Sequence, residues 1–369
     1  MVRSLLKSDN YLELNLDRLS DVIIYPYFEC NLRCKNCLVN PPKSEEVGFL
    51  KCSPLDFIEH IEPYQIERML SWRVKNWVIL GGEPFLSNYT PVMLSKLSGN
   101  GRVIVYTNAT LIYEHLKEHG FDSLLEDVLN HIDRLIISLE GGRDWTEYIR
   151  GKGVYDKVHY VLDRIVDKVD VVVRMGYFED NLQSVLGEIQ RLNEEKIPVI
   201  LFPRIDHPPL DVNTMYYFYN AVASFDMADI LLPSYKNFLG LNPEGVSCPA
   251  GWAKVCVLPD GYLIPCQWNF VKIAHLDWRD EDIEYAFTKW CQHAFKLRPE
   301  CIGCKYAYRC RGSCRVARDY LECPVRYGGK LVDNIVNVLG EVREVNRSKV
   351  IARMKKIEGL IVHGCSAGC

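Results

Sequence analysis

The stretch Asp21-Val-Ile-Ile-Tyr-Pro-Tyr27, followed at once by Phe28-Glu-Cys30-Asn-Leu-Arg-Cys34-Lys-Asn-Cys37, decides how this chain is read. The first seven residues are nearly all apolar or aromatic, which predicts a buried strand. Three cysteines follow its end within eight positions. Thiolates so closely spaced can wrap a loop around one [4Fe–4S] cube. Three ligands leave one iron without a protein thiolate, which suits catalysis better than electron carriage. A zinc knuckle or a chance arrangement stays open for the triad alone. Its place directly after a strand is what gives it weight.

Outward from this point, similar apolar runs recur at Val74–Leu80, Val103–Tyr106, Leu135–Leu139, Val169–Met175 and Ile197–Phe202. Helical patterns lie between them: Pro54–Leu70 with Ser53 as a plausible N-cap, Asn88–Leu97, Tyr113–Glu118, Tyr155–Asp167 and Leu182–Glu195. Strand–helix alternation of this kind predicts consecutive βαβ units. Six of them give an α/β fold, a partial (β/α)6 parallel barrel, with its site at the C-terminal ends of the strands.

The composition is that of a globular protein: 369 residues, 48% hydrophobic, 25% charged and a net charge of −4. That charge excludes the basic footprint of a nucleic-acid binder. The N-terminal residues carry no signal-peptide pattern, and no stretch approaches a membrane span. A soluble, cytoplasmic protein is expected. Its 15 cysteines then point to metal or redox chemistry rather than disulfides. None occurs between Cys52 and Cys248, and eleven follow that gap.

The expected organisation is a barrel over residues 1–206, a bridging region over 207–247, a small cysteine-dense domain over 248–326, and a C-terminal helix and cysteine-containing tail over 327–369. The third segment has little apolar periodicity, so metal clusters are expected to hold it together. The bridging region carries an aromatic run, Tyr216 to Tyr219, read as helix packed on the barrel or as cavity lining.

The triad resembles the Cys-x3-Cys-x2-Cys loop of the radical SAM superfamily. Later segments resemble that family in the same order. Gly81-Gly82-Glu83 is similar to its GGE motif, Thr107-Asn108 to its Thr-Asn-Gly segment, and Ser138-Leu-Glu140-Gly to its Ser-Leu-Asp-Gly segment. Arg150-Gly-Lys-Gly153 is similar to an Arg-Gly-x-Gly turn, and Arg174 ends the fifth strand. The resemblance implies that Cys30, Cys34 and Cys37 hold a [4Fe–4S] cluster. It implies that Gly81, Gly82, Glu83, Asn108, Ser138 and Arg174 contact S-adenosylmethionine (SAM). Reductive cleavage of SAM would then give a 5′-deoxyadenosyl radical that abstracts hydrogen from a substrate. Asn36 departs from the family, which usually has an aromatic residue there to hold the adenine. Phe28 is a candidate replacement.

A second resemblance covers Cys248-x12-Gly261-x4-Cys266, then Cys301-x2-Cys304-x5-Cys310-x3-Cys314 and Cys323. This is similar to the seven-cysteine pattern of the SPASM domain and implies two auxiliary [4Fe–4S] clusters. Cys301, Cys304, Cys310 and Cys323 would hold one, and Cys248, Cys266 and Cys314 the other. Cys256 is the candidate fourth ligand of the latter, with an open position for substrate as the alternative. Zinc sites remain the other reading of the paired cysteines. Cys52 and Cys291 read as packed thiols. Cys365 and Cys369 read as a frayed tail, a cluster ligand or a thiol pair.

The resemblance favours a peptide or protein substrate modified after translation, served by a ferredoxin- or flavodoxin-type reductant under anaerobic conditions. The short segment before the first strand leaves no room for a leader-binding winged helix, so a separate leader-binding partner is one expectation. The alternatives are maturation of a tetrapyrrole, quinone or tungstopterin cofactor and, further off, a non-catalytic electron carrier. No catalytic acid or base is named, beyond Asp206 and His207 as guesses.

Overall fold

A computed structural model of the chain describes residues 13–35, 37, 39, 60–204, 207, 210, 214, 217–218, 221–222, 224–230, 248–267 and 269–295. Its centre is one sheet of ten strands. In chain order they are β1 Leu19–Ile24, β2 Val74–Ile79, β3 Arg102–Thr107, β4 Arg134–Leu139, β5 Val171–Tyr177, β6 Val199–Pro203, β7 Ala228–Ile230, β8 Lys254–Val257, β9 Tyr262–Ile264 and β10 Ala274–His275. The spatial order is β10-β9-β8-β1-β2-β3-β4-β5-β6-β7. Strands β1 to β7 pair in parallel in sequence order. Helices cover their connections: α1 Pro63–Met69, α2 Thr90–Leu97, α3 Thr110–His119, α4 Ser123–Asn130, α5 Arg143–Arg150, α6 Val154–Ile165 and α7 Leu182–Glu194, with α8 Asp280–Ala294 after β10. This is the partial parallel barrel that the βα alternation predicts.

Two features go beyond that prediction. Strand β7 extends the parallel series into the segment read as a bridge. Strand β8, from the cysteine-dense segment, pairs in parallel with β1 at the opposite edge, Ile23 facing Cys256. Strands β9 and β10 continue outward from it as antiparallel neighbours. Residues Val255, Cys256, Val257, Leu258, Leu263 and Ile264 are fully buried. The described part of this segment therefore shares the barrel's apolar core, where its weak apolar periodicity predicts that metal clusters hold it together.

Strand alternation sorts the core into two sets. Val22, Ile24, Val103, Val105, Leu135 and Ile137 face the helices, meeting Leu94, Leu97, Val158 and Leu162 among others. Ile23, Tyr25, Val78, Ile104, Ile136, Val172 and Cys256 fill the interior. Below that inner layer, Asp21 stands between its strand partners Asn76 and Lys254. All three are buried. Asn76 donates to Asp21 Oδ1 at 2.9 Å, and Lys254 Nζ donates to Gln267 Oε1 at 3.3 Å. Polar groups this deep require such partners, and they close the N-terminal end of the barrel. The other end is left for chemistry.

Helix α1 begins nine residues later than the helix expected from Pro54, and the Ser53 cap lies outside the described residues. Helices α4 and α5 were not foreseen. Asp122 caps α4, its carboxylate accepting the Leu125 N–H at 2.9 Å. Gly151, at φ +115°, ends α5.

Candidate functional site

The cysteine loop leaves the end of β1 and is clamped by the turn after β2. Gly82 N–H donates to Tyr27 O at 3.2 Å and Glu83 N–H to Glu29 O at 2.9 Å. The Tyr27 hydroxyl donates to Pro84 O at 3.0 Å. A Cβ on Gly81, which has φ +122°, would stand 2.7 Å from Tyr27 O, and one on Gly82 would stand 1.7 Å from Glu29 O. The two glycines therefore bring the chain's own backbone together beneath the loop. Further along, Lys35 N–H donates to the Ile149 carbonyl at 2.9 Å, tying the loop to α5.

Cys30, Cys34 and Cys37 are all half-buried. Cys30 Sγ accepts the Leu32 N–H at 3.4 Å and the Asn108 side-chain N–H at 3.8 Å. Burial pushes the Cys30 thiol up to about 11 and raises that of Cys34, against the pull of the Arg150 guanidinium. Unligated, Cys30 and Cys34 are held as neutral thiols, and metal binding would deprotonate them. Among the described residues no three His, Cys, Asp or Glu side chains gather closely enough for a single metal ion. A cube with one thiolate on each of three irons asks for a wider spread. Three thiols on one loop, two of them near the half-buried Arg150 guanidinium, fit such a group.

Glu83 is buried and its carboxylate is already engaged. It accepts from Thr107 Oγ1 at 2.7 Å, Asn108 N–H at 2.8 Å and Phe85 N–H at 3.3 Å. Burial nevertheless outweighs these donors and lifts its pKa to about 7. Glu83 thus binds the end of β2 to the end of β3. Asn108 is placed by that contact. Its neighbour Ala109 takes the left-handed φ of 62° where the family pattern has glycine.

Ser138 and Arg174 are direct partners on β4 and β5. They extend the inward-facing series of Ile136 and Val172 toward the C-terminal end. The Arg174 guanidinium lies 3.7 Å from the Phe202 ring centroid and 5.8 Å from that of Tyr106. Its Nε is buried without a hydrogen-bond partner, and among the described residues no carboxylate forms an ion pair with it. Burial lowers its pKa to about 10. Glu140 instead pairs with Arg150 at 2.6 Å and Arg204 at 3.5 Å. Gly176 makes room for this, since a Cβ there would stand 2.6 Å from Arg204 Cδ.

Of the second cysteine group, Cys248, Cys256 and Cys266 are described, and all are buried. Cys256 faces the barrel interior with Ile23, Tyr25 and Phe28. The Tyr25 ring packs against Phe28 at 5.4 Å and Phe270 at 6.1 Å. Burial raises the Tyr25 pKa first, and Cys256, Cys266 and Cys37 add to it. Cys301, Cys304, Cys310, Cys314, Cys323, Cys52, Cys365 and Cys369 lie outside the described residues, as do Asn36 and Asp206. Cys291 is a packed thiol, pushed up to about 12 by burial. His207 stacks on Phe178 at 3.9 Å. Of the aromatic run, Phe218 is buried against Tyr177 while Tyr217 is exposed. No helix among the described residues is long and apolar enough to cross a membrane.

Sequence reasoning gave no role to Tyr25, Asn31, Thr110 or Arg204. Each also has a partner distant in sequence, Asn31 with Thr110, Arg204 with Glu140 and Tyr25 with Phe270, so the fold is needed to bring them together.

No family model matches the chain. Solved structures do. Streptococcus suis SuiB is similar over 85% of this chain and 77% of its own, with a TM-score of 0.61 at 15% identity. The structure of anSMEcpe with bound AdoMet and Cp18Cys peptide is similar over 91% of this chain and 99% of its own, with a TM-score of 0.62 at 16% identity. SuiB has also been seen bound to its precursor peptide SuiA. By fold, this chain shares the partial barrel of these radical SAM enzymes.

Proposed function

We propose that the chain is a radical SAM enzyme that modifies a peptide or protein substrate. The observation that carries this reading is the pairing, at one end of the barrel, of a three-thiol loop with the Arg174 guanidinium, whose Nε is buried without a hydrogen-bond partner and which forms no carboxylate ion pair among the described residues. Similarity of fold to anSMEcpe with AdoMet and peptide, and to SuiB with SuiA, supports the choice of cosubstrate and substrate class.

Cys30, Cys34 and Cys37 would hold a [4Fe–4S] cluster, which when bound supplies the electron for reductive cleavage of SAM. Arg174 would receive the SAM carboxylate, trading an unpaired buried charge for an ion pair. Gly81, Gly82, Glu83, Asn108 and Ser138 would form the wall beside it, with Glu83 fixing Asn108 and the glycines fixing the loop. Tyr25, Phe28 and Phe270 would exclude water from the reacting centre. Cys248, Cys256, Cys266 and Cys314 would carry one auxiliary cluster, and Cys301, Cys304, Cys310 and Cys323 another, within a 248–326 domain that follows the 1–206 barrel and the 207–247 bridge. A ferredoxin- or flavodoxin-type reductant would supply electrons.

The test is anaerobic turnover of reconstituted protein with dithionite and SAM, following 5′-deoxyadenosine. Extract from the source organism is added as separate peptide or protein and small-molecule fractions. Stimulation by the first fraction is expected. Stimulation by the small-molecule fraction alone would move the substrate to cofactor biosynthesis.

A further inference from the structure

The Asn108 side chain is held in one orientation by a closed ring of hydrogen bonds. Thr110 donates twice to Asn108 Oδ1, from its N–H at 2.9 Å and its hydroxyl at 2.6 Å. Asn31 Nδ2 donates to Thr110 Oγ1 at 2.7 Å, and Asn108 Nδ2 donates back to Asn31 Oδ1 at 2.9 Å. With Oδ1 occupied by two donors, the amide cannot turn over without setting donors against donors. Its second N–H is thereby aimed at Cys30 Sγ, 3.8 Å away. The Leu32 N–H reaches the same sulfur at 3.4 Å. The backbone N–H of Asn108 is fixed separately by Glu83. A side chain locked by three hydrogen bonds, with one N–H left for a sulfur, is arranged as a donor to that sulfur.

Hydrogen bonds to ligand sulfurs are among the determinants of an iron–sulfur cluster's reduction potential. An N–H dipole aimed at a thiolate stabilises negative charge, and the reduced cluster carries one charge more than the oxidised one. The donor therefore favours reduction.

We propose that Asn108 is a positioning residue that raises the reduction potential of the cluster held by Cys30, Cys34 and Cys37, by donating to the Cys30 sulfur in an orientation set by Thr110 and Asn31. This rests on the reading of that triad as a cluster site. The full-length protein is reconstituted anaerobically, and the midpoint potential of the cluster whose EPR signal responds to SAM is measured. Asn108→Ala is expected to shift it to a more negative value, and Asn108→Asp further still. Thr110→Val leaves the donor in place but frees the amide to turn, and a smaller shift of the same sign is expected. An unchanged potential in Asn108→Ala overturns the proposal. If that variant assembles no cluster, an unchanged potential in Thr110→Val overturns it instead. Failure of the underlying reading looks different: the wild-type protein would show no SAM-responsive signal that Cys30→Ala removes.

Discussion

Gly82 lies so close to Glu29 that a methyl group on its Cα would stand 1.7 Å from the Glu29 carbonyl oxygen. The turn after β2 and the approach to the cysteine loop are therefore one unit, and the glycines serve the loop's foundation. Gly82→Ala must push the two backbones apart. A loss of about 1–3 kcal/mol is expected from such overpacking, read from urea unfolding of the metal-free protein, together with loss of iron uptake. Unchanged stability would contradict the close approach.

Arg174 carries a second expectation. A buried guanidinium without a carboxylate costs stability until a ligand pairs with it. Arg174→Met should leave the metal-free protein as stable as the parent or more so. It should weaken SAM binding by about ten- to a hundredfold, the value of a charge-assisted hydrogen bond of about 1.5–3 kcal/mol. Calorimetry of SAM binding to the reconstituted protein and thermal unfolding of the metal-free protein check the two halves. A variant that loses stability while keeping SAM affinity would assign Arg174 a purely structural role.

Glu83 gives a pH signature. Its folded pKa of about 7 lies above the ordinary carboxyl value of 4.5, chiefly through burial. The stabilising contribution is then complete below pH 4.5 and is lost as pH rises through 7. Between those limits the metal-free parent should lose on the order of 3 kcal/mol relative to Glu83→Gln. Urea midpoints for both proteins at several pH values test this. A pH-independent difference would mean that the three donors around Glu83 fully offset its burial.

The barrel was largely legible because β1 to β6 are buried on both faces and so read as continuous apolar runs. Strands β7 and β8 were not, for physical reasons. They are three and four residues long, and β8 joins the sheet across more than two hundred residues by pairing with β1. Within the motif Cys256 reads as a ligand. In the fold it is also a strand residue facing the barrel interior. Helix α5, Arg143-Asp-Trp-Thr-Glu-Tyr-Ile-Arg150, escaped because four of its eight residues are charged. The cysteines, the glycine pair and Arg174 were visible as motifs. The ring of Asn31, Asn108 and Thr110 was not, because it depends on three side chains meeting through tertiary contact.

At the centre of the proposed chemistry is a SAM-cleaving cluster held by Cys30, Cys34 and Cys37. Its most direct test is 5′-deoxyadenosine formation by the reconstituted, dithionite-reduced protein, alongside Cys30→Ala reconstituted in the same way. Product is expected from the parent and none above background from the variant. Equal product from both, or none from a parent that holds its full iron, would contradict it.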